Sequence, residues 1–423
     1  MTNHWWRTDV FLLQSHNSTL SSVTNNFFNG VTKVRRTVAL PSSQCQVLFI
    51  SFRYEFTMQT HLHTNNSLRL GLISALAAVT IASLIALTTP AHAAANPGFV
   101  LYSAQGYDHA AVTAFNATNP GFTVTLNDNS TGPLLEQIQA EGNNPKWGVL
   151  WVDGATAFAQ LDNEGKLLKH SVPKVSFNSL GHANVPADGS YTPTGLTVTG
   201  ALCYNSAAVK ASQLPSTWAQ LAHSKYASAL GMNDPSQSGP TFPLIAGVMD
   251  QMGKYQSGST AKAVADGKKF FSDLAKGGML VSSTNGPTLG AMEQGSISMA
   301  IVQSSACYGD ELNGSFPAIR VKYLNYSIAL PSAIGIDGKQ PAIVRDDAKK
   351  FVDWVMSSSG QKVMQTGDPQ GDSLFWPVLK GENPSNKVIP SLSSTHAITI
   401  SPYVWGPLES TVNTWFDSTV VPK

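Results

Sequence analysis

The chain has 423 residues, of which 42% are hydrophobic and 13% charged, and its formal net charge is +1. A single hydrophobic core stops growing at roughly 250–300 residues, so we expect two domains or lobes. The low charged fraction argues against a disordered protein, and the near-neutral balance argues against a nucleic-acid binder, which usually carries a basic excess.

The first informative segment is an uncharged apolar run at residues 70–87. It is preceded by Arg69 and followed by small residues at Ala91 and Ala93, which fit the signal-peptidase rule with cleavage before Ala94. We therefore predict a signal peptide over residues 58–93 and a periplasmic, secreted protein. The alternative is a retained membrane anchor, because the run is just long enough to span a bilayer. No cysteine lies at the predicted cleavage site, so we expect no lipid anchor.

Residues 1–57 precede this signal and show no clear periodicity. Signal peptides stand at the N-terminus of a chain, so we interpret 1–57 as an over-extended start or a disordered leader, with Met58 as the true start. The alternative is a genuine N-terminal extension. In either case we exclude residues 1–57 from the fold.

From Phe99 onward, predicted strands and helices alternate. Short apolar or alternating stretches predict strands at residues 99–103, 122–126 and 149–152, and each is followed by a stretch of helical spacing. Pro133 suits the first turn of the second helix. This βαβαβα order predicts an α/β fold in which a parallel sheet carries helices on both faces.

The pattern then changes to a long β-rich stretch at residues 192–204, and a second α/β series follows it. Residues 328–336 are again extended, and residues 349–364 form an amphipathic helix. The simplest interpretation is two Rossmann-like lobes joined by two extended hinge crossings. We assign residues 94–200 plus 332–423 to lobe 1 and 201–331 to lobe 2, and we expect the lobes to close on a ligand about crossings near Gly200 and Pro331.

Two cysteines, Cys203 and Cys307, lie in the exported part of the chain. An oxidising compartment permits a disulfide between them. The spacing alone leaves open two buried free thiols, because cysteine also packs as a small hydrophobe.

Several segments resemble one family when taken in order. They are LYSAQG at 101–106, NDNSTGPLLEQIQAEGNNPKW at 127–147, LWVDGATAFAQLDNEGKL at 150–167, NDPSQSGPTF at 233–242 and the helix at 347–364. The chain resembles type 2 periplasmic solute-binding proteins (extracellular solute-binding protein family 1), in the branch that holds ferric-ion, phosphonate and polyamine binders. The resemblance implies two lobes that close by a hinge and a monomer that delivers a small-molecule solute to the transmembrane subunits of an ABC permease.

The chain departs from the ferric binders of that family, which use a histidine in the first strand–helix loop and a tyrosine pair after a second-lobe strand. Here the first loop reads Gln105-Gly106-Tyr107-Asp108, and Ala306-Cys307 stands at the tyrosine-pair position. Ferric iron prefers phenolate, carboxylate and imidazole donors. We therefore keep a ferric-ion binder only as an alternative and predict no metal site and no cofactor. The remaining histidines, such as His109, His170 and His182, show no metal-ligand spacing.

Small polar residues before helices are the main ligand-binding candidates. Hydroxyl and backbone N–H groups at the positive end of a helix suit an anion, and ligands usually bind at the carboxyl ends of strands in open α/β sheets. The candidates from helix starts and strand ends are Ser103, Ser130, Thr131, Gly132, Ser236, Ser238, Gly239, Ser304 and Ser305. The structural alternative is that these residues are ordinary helix caps, which bind nothing.

Asp153 and Gly154 follow the third strand and complete the candidate ligand site. A carboxylate there suits the ammonium group of a zwitterion such as an aminoalkylphosphonate, although Asp153 can equally cap the next helix. We predict that the chain captures an anionic or zwitterionic solute, with a phosphonate or phosphate ester favoured. The alternatives are a ferric-ion or polyamine binder and, more remotely, a secreted hydrolase. We expect no enzyme, because none of the common hydrolase motifs occurs in a suitable context.

Overall fold

The computed structural model describes residues 98–253, 259–314 and 316–421, all within a compact unit that spans Pro90–Lys423. The predicted leader, the signal peptide with its apolar run and the cleavage site before Ala94 lie outside the described residues. No helix among the described residues is long and apolar enough to cross a membrane.

The first half of the described chain has the predicted alternation of strands and helices. Each strand is short and apolar, and each helix follows it after a few residues. The elements are β1 (Phe99–Ser103), α1 (Asp108–Asn116), β2 (Val124–Asp128), α2 (Thr131–Glu141), β3 (Val149–Asp153), α3 (Ala155–Asn163) and α4 (Ser179–Asn184).

The second half begins with one long strand, which is buried along nearly all of its length. This strand and the α/β series after it comprise β4 (Tyr191–Asn205), α5 (Trp218–Leu221), α6 (Ser224–Ala227), β5 (Leu230–Asn233), α7 (Thr241–Met252), α8 (Thr260–Lys276), β6 (Leu280–Ser282), α9 (Asn285–Glu293), β7 (Met299–Gln303), α10 (Ser304–Asn313), β8 (Ile319–Lys322) and β9 (Ser327–Ile336). The C-terminal elements are α11 (Ala342–Val355), α12 (Ser358–Gly367), β10 (Ala397–Ile398), α13 (Pro402–Trp405) and α14 (Glu409–Thr419).

The strands form a mixed sheet in the order β2-β1-β3-β9-β4-β7-β5-β6, with β10 paired to β9 and β8 paired to β4. The outer pairs at each end of the sheet are parallel, as expected for strands linked by helices. In the middle, β4 and β9 run antiparallel from the Tyr191–Gly335 pair to the Thr199–Ile328 pair. The two predicted extended crossings are therefore β4 and β9, and they join two α/β lobes.

Gly200 lies where β4 passes from β9 to β7, and the register shifts between Thr199 and Ala201. Its φ of +81° belongs to the left-handed region that favours glycine. A β-carbon at Gly200 would also lie 3.0 Å from the ring of Trp218 and 3.1 Å from Leu244. Conformation and space both explain the glycine at this bend in the hinge strand.

Separate hydrophobic cores fill the two lobes. In the first lobe, one face of the sheet packs around Trp151, Phe115 and Phe351, and the other face packs around Trp147 and Phe158. In the second lobe, the largest core includes the buried side chains Trp218, Phe242, Phe271 and Met299.

The predicted lobe boundaries stay a prediction, but the end of the chain packs differently from that expectation. Residues 332–423 were assigned to lobe 1, whereas Trp405, Val412 and Phe416 are buried in the core of the second lobe. The indole Nε1 of Trp405 donates a hydrogen bond to Asp250 Oδ1 on α7, at 3.2 Å. The C-terminal segment also contacts the first lobe, where the Tyr403 hydroxyl donates to Asp162 Oδ2 at 3.0 Å. It is therefore a third connection between the lobes.

Cys203 on β4 and Cys307 on α10 are joined in a disulfide bond, which settles the alternative that the sequence left open. Both cysteines are buried in a small core with Met292 and Val302. The bond ties the hinge strand to the helix that begins at the end of β7.

We expect reduction of the Cys203–Cys307 bond to lower the free energy of unfolding by about 2–5 kcal/mol, because the bond closes a loop with a sequence separation of 104 residues. Chemical denaturation with and without reductant measures the effect. The double variant Cys203→Ala/Cys307→Ala is the control and should not respond to reductant. An unchanged midpoint in the wild-type protein, with both thiols shown to be free, contradicts the expectation.

Candidate functional site

A buried polar cluster lies where β1, β3 and β7 end and β9 crosses between the lobes. Its members, which we call the Asp153 cluster, are Gln105, Asp153, Gln303 and Ser332, and all four are buried. The amide Nε2 of Gln105 donates to Asp153 Oδ1 at 3.1 Å, and Nε2 of Gln303 donates to Asp153 Oδ2 at 2.8 Å. The Ser332 hydroxyl also donates to Asp153. Both carboxylate oxygens are therefore bonded, and their donors come from both lobes.

Two further ionisable groups lie beside the Asp153 cluster. The Tyr107 hydroxyl donates to Gln105 Oε1 at 2.6 Å, and Asp372 Oδ2 accepts from the backbone N–H of Gly106 at 2.8 Å. Burial, together with the neighbouring Asp153 carboxylate, raises the pKa of Asp372 to about 8. Burial also raises the pKa of Asp153 itself, against the lowering effect of its three hydrogen-bond donors. Asp153 and Asp372 therefore resist being ionised together.

A cavity of about 290 Å³ opens next to Asp372, and we call it the acidic pocket. It is lined by three aspartates, one histidine and uncharged residues, without any lysine or arginine. The lining residues are Ala104, Gln105, Gly106, Asp108, His109, Asp128, Asn129, Ser130 and Asp372. The volume suits a small solute, and the charges of the wall favour a positive group over a negative one.

The two predicted helix-end groups meet directly. The backbone N–H of Gly132, in the first turn of α2, donates a long hydrogen bond of 3.5 Å to the carbonyl of Gln237 in the second lobe. A β-carbon at Gly239 would lie 2.4 Å from the hydroxyl of Thr131. The structure therefore brings the groups together as a contact between lobes, without the gap that a clamped anion requires.

Four of the other predicted hydroxyls have partners within the protein. Ser236 donates to Asp234 Oδ1 at 2.7 Å, and Ser238 accepts from Asn233 Nδ2 at 3.2 Å. Ser103 accepts from the backbone N–H of Gln105 at 3.2 Å, and Ser304 accepts from that of Val198 at 3.4 Å. These serines hold the loops of the site in place.

The three remaining predicted residues lie in different surroundings. The backbone N–H of Gly154 donates to the carbonyl of Pro331 at 2.9 Å, next to the Asp153 cluster. The Ser305 hydroxyl is buried and has no hydrogen-bond partner among the described residues. Ser130 lies in the wall of the acidic pocket at the start of α2. The role of every predicted residue in ligand binding stays a prediction.

The sequence interpretation missed Gln105, Gln303, Ser332 and Asp372. Gln105 and Gln303 carried a usable signal, because each stands at or just after the end of a strand near the switch between lobes. Asp372 carried none, because it follows α12 in an irregular segment and reaches the site only through the tertiary fold.

The chain matches a known protein family over more than half of its length. The model of the family described as bacterial extracellular solute-binding protein matches residues 103–362. The chain therefore belongs to the bacterial extracellular solute-binding proteins, as its resemblance implied. Membership implies a periplasmic or extracellular location and a role as the solute-binding component of an ABC transporter. A search of curated proteins finds no match to the chain.

Solved structures with the same fold bind different solutes. Iron-bound HitA from Pseudomonas aeruginosa is 18% identical in sequence to this chain, with a TM-score of 0.60. The match covers 75% of this chain and 98% of HitA. The periplasmic binding protein AfuA from Actinobacillus pleuropneumoniae, with fructose-6-phosphate bound, is 17% identical, with a TM-score of 0.63 and coverages of 77% and 98%. The Atu4243 GABA receptor is 16% identical, with a TM-score of 0.59 and coverages of 77% and 98%. At these identities the likeness establishes the fold and leaves the solute open.

We expect the substitution Asp372→Asn to stabilise the unliganded protein at pH 8. A carboxyl whose pKa rises from 3.8 to about 8 on folding holds its proton more tightly in the folded state, so its effect on stability becomes more unfavourable as the pH rises between these values. We expect a gain of only about 1 kcal/mol, because Asp372 keeps contact with solvent at the pocket wall.

Thermal unfolding of both proteins between pH 4 and pH 8, a window set by that shift, measures the difference. The exposed Asp346, which pairs with Lys349 on the surface, provides the control variant Asp346→Asn. Parallel pH profiles for Asp372→Asn and the wild-type protein contradict the assignment.

We expect Gly132→Ala to push the two lobes apart at this contact. The added β-carbon would lie 1.7 Å from the carbonyl oxygen of Ser236, so the two lobes must separate at this contact. Solute affinity should fall by about tenfold or more. Gly290→Ala on α9 is the matched control, because its β-carbon would meet nothing within 4 Å. Equal affinities of the two variants show that this contact does not contribute to solute binding.

Proposed function

We propose that this protein captures a small zwitterionic solute for an ABC importer and that the solute carries a protonated amine. The observation behind the proposal is the charge of the acidic pocket. Asp108, Asp128 and Asp372 line it, with Asp153 directly behind, and His109 is its single basic side chain. An ammonium group offsets this charge, whereas a simple anion is repelled by it.

The amine also explains why the site contains two carboxyls that resist being ionised together. Burial and the repulsion of Asp153 raise the pKa of Asp372 to about 8. An ammonium group placed near Asp153 and Asp372 favours the charged form of both. Solute binding near neutral pH is therefore expected to release a proton and to weaken as the pH falls.

An acidic group on the same solute fits the part of the pocket that Ser130 lines. Ser130 lies there at the start of α2, where the helix dipole is positive. A solute with an amine at one end and a carboxylate or phosphonate at the other can use both the aspartates and the start of α2. The predicted phosphonate or phosphate ester stays a prediction, and an aminoalkylphosphonate satisfies it better than an amine-free phosphonate.

Hinge closure is the second part of the proposal. It is supported by the hydrogen bonds that cross between lobes at Gly132 and at Gln303. These groups need another partner, solvent or a solute, when the lobes separate. Small-angle scattering with and without bound solute tests closure, and an unchanged radius of gyration counts against it.

A ligand screen by thermal shift tests the solute class, because a ligand that binds only the folded state raises the melting temperature. The panel pairs 2-aminoethylphosphonate with ethylphosphonate, and 4-aminobutyrate with butyrate. It also includes a phosphate ester, a diamine and ferric citrate. We expect stabilisation by the amine-bearing member of each pair alone.

Asp372→Asn should weaken binding of an amine-bearing solute by about tenfold, because the substitution removes one charge partner of the amine. Asp346→Asn should leave it unchanged. Equal stabilisation by ethylphosphonate and its amino analogue contradicts the amine. Stabilisation by the diamine alone indicates a polyamine binder, and stabilisation by ferric citrate alone indicates an iron binder.

A further inference from the structure

Three potential metal ligands meet at the rim of the acidic pocket. They are Asp108 and His109 at the start of α1 and Asp128 at the end of β2, and their ligand atoms lie within 4.8 Å of one another. The imidazole Nε2 of His109 is 3.2 Å from Asp128 Oδ2. Among the described residues this is the group of histidine, cysteine and carboxylate side chains whose geometry suits a metal ion.

The fold explains why residues 20 positions apart in the chain meet here. β1 and β2 are parallel neighbours, and Ser103 at the end of β1 pairs with Asp128 at the end of β2. The chain turns after β1 and starts α1 at Asp108, directly above the same edge of the sheet. The sequence pattern did not reveal the site, because Asp108 and His109 lie at the start of a helix and Asp128 lies at the end of the following strand. Only the tertiary fold brings the three side chains together.

An independent observation concerns Asp108 alone. Its side chain is buried, with 1% of its surface exposed, yet its Oδ2 atom has no hydrogen-bond partner among the described residues. A buried carboxylate oxygen without a partner is costly. Asp108 lies in the pocket wall, so a cation bound in the pocket would supply the missing partner.

The donor set selects the class of ion. Two carboxylates and one imidazole suit divalent first-row transition metals such as Zn²⁺, Mn²⁺ or Co²⁺. Ca²⁺ and Mg²⁺ prefer oxygen ligands alone and are disfavoured by the histidine.

We propose that Asp108, His109 and Asp128 bind a divalent transition-metal ion whose remaining coordination positions face the acidic pocket. Three protein ligands leave at least one position open, as in metal sites that bind an exchangeable partner. The ion would form part of the pocket wall and would offer that position to a donor atom of a solute. This site is separate from the Asp153 cluster, and its occupation does not depend on the proposed amine-bearing solute.

Metal titration of the solute-free, untagged protein tests the proposal. After treatment with chelator and its removal, Zn²⁺ binding is measured by calorimetry, and Co²⁺ binding by its visible absorption. We expect a 1:1 complex with Zn²⁺ and with Co²⁺, and no comparable heat with Mg²⁺ or Ca²⁺.

His109→Ala should weaken Zn²⁺ binding by about tenfold or more, because it removes the nitrogen ligand. The His109 side chain is 75% exposed, so this variant is expected to fold normally. His223→Ala is the matched control, because His223 is also exposed and lies between α5 and α6 in the second lobe. Asp108→Asn should weaken binding too, and its melting temperature checks that it folds.

Two results overturn the proposal: the absence of binding at millimolar Zn²⁺, and equal binding by His109→Ala and the wild-type protein. The solute screen is repeated in the presence of a chelator. Solute binding that persists without any metal binding refutes the metal site alone and leaves the proposed solute class standing. Metal binding without any response to amine-bearing solutes refutes the proposed solute class and leaves the metal site standing.

Discussion

The buried carboxylate of Asp153 is the interaction on which the contact between the two lobes depends in this structure. It lies at the end of β3, where it accepts hydrogen bonds from Gln105 of the first lobe, Ser332 of a hinge strand and Gln303 of the second lobe. A buried charge is costly unless its hydrogen bonds are complete. Because the donors come from both lobes, separating the lobes removes part of this shell and requires solvent to replace it. The same carboxylate therefore couples the hinge to the charge of the adjacent pocket.

The third connection between the lobes limits how they can move. Tyr403 is bonded to α3 of the first lobe, while Trp405 and Phe416 are buried in the second. A rotation about β4 and β9 must therefore be accommodated between Tyr403 and Trp405 as well. Gly406 directly follows this stretch, and a β-carbon there would be 2.5 Å from the carbonyl of Thr156. This close approach constrains the motion to one that keeps the terminal segment against α3.

The sequence predicted most of the fold because local patterns determine most of it. Short apolar strands alternating with helices implied a parallel sheet, and the long β-rich stretch at 192–204 implied a hinge strand. The position of the C-terminal segment was not predictable in this way. The amphipathic pattern of α14 shows that one face is buried, but the pattern does not identify the surface that covers Val412 and Phe416.

The site was predictable only where ligand-binding potential follows directly from position in the chain. Strand ends and helix starts led to Ser103, Ser130 and Asp153, all of which lie in or beside the pocket. The electrostatic character of the pocket was not predictable, because it arises from Asp108, Asp128 and Asp372, which come from three separate segments. The helix-start pattern alone suggested an anion, and tertiary structure added the carboxylates that reverse this preference.

The proposed metal ion and the proposed amine are two solutions to the same electrostatic problem. The pocket gathers several carboxyls around a small volume, and such an arrangement is stable only if the carboxyls stay protonated or a cation joins them. Asp372 favours its protonated form, because its pKa is raised to about 8. Asp108 and Asp128 have a histidine beside them, and the three side chains can bind a cation together. A divalent ion at the rim would offset their charge and leave Asp372 and Asp153 to receive the amine, so that one pocket can accept a zwitterion whose acidic end faces the ion and the start of α2.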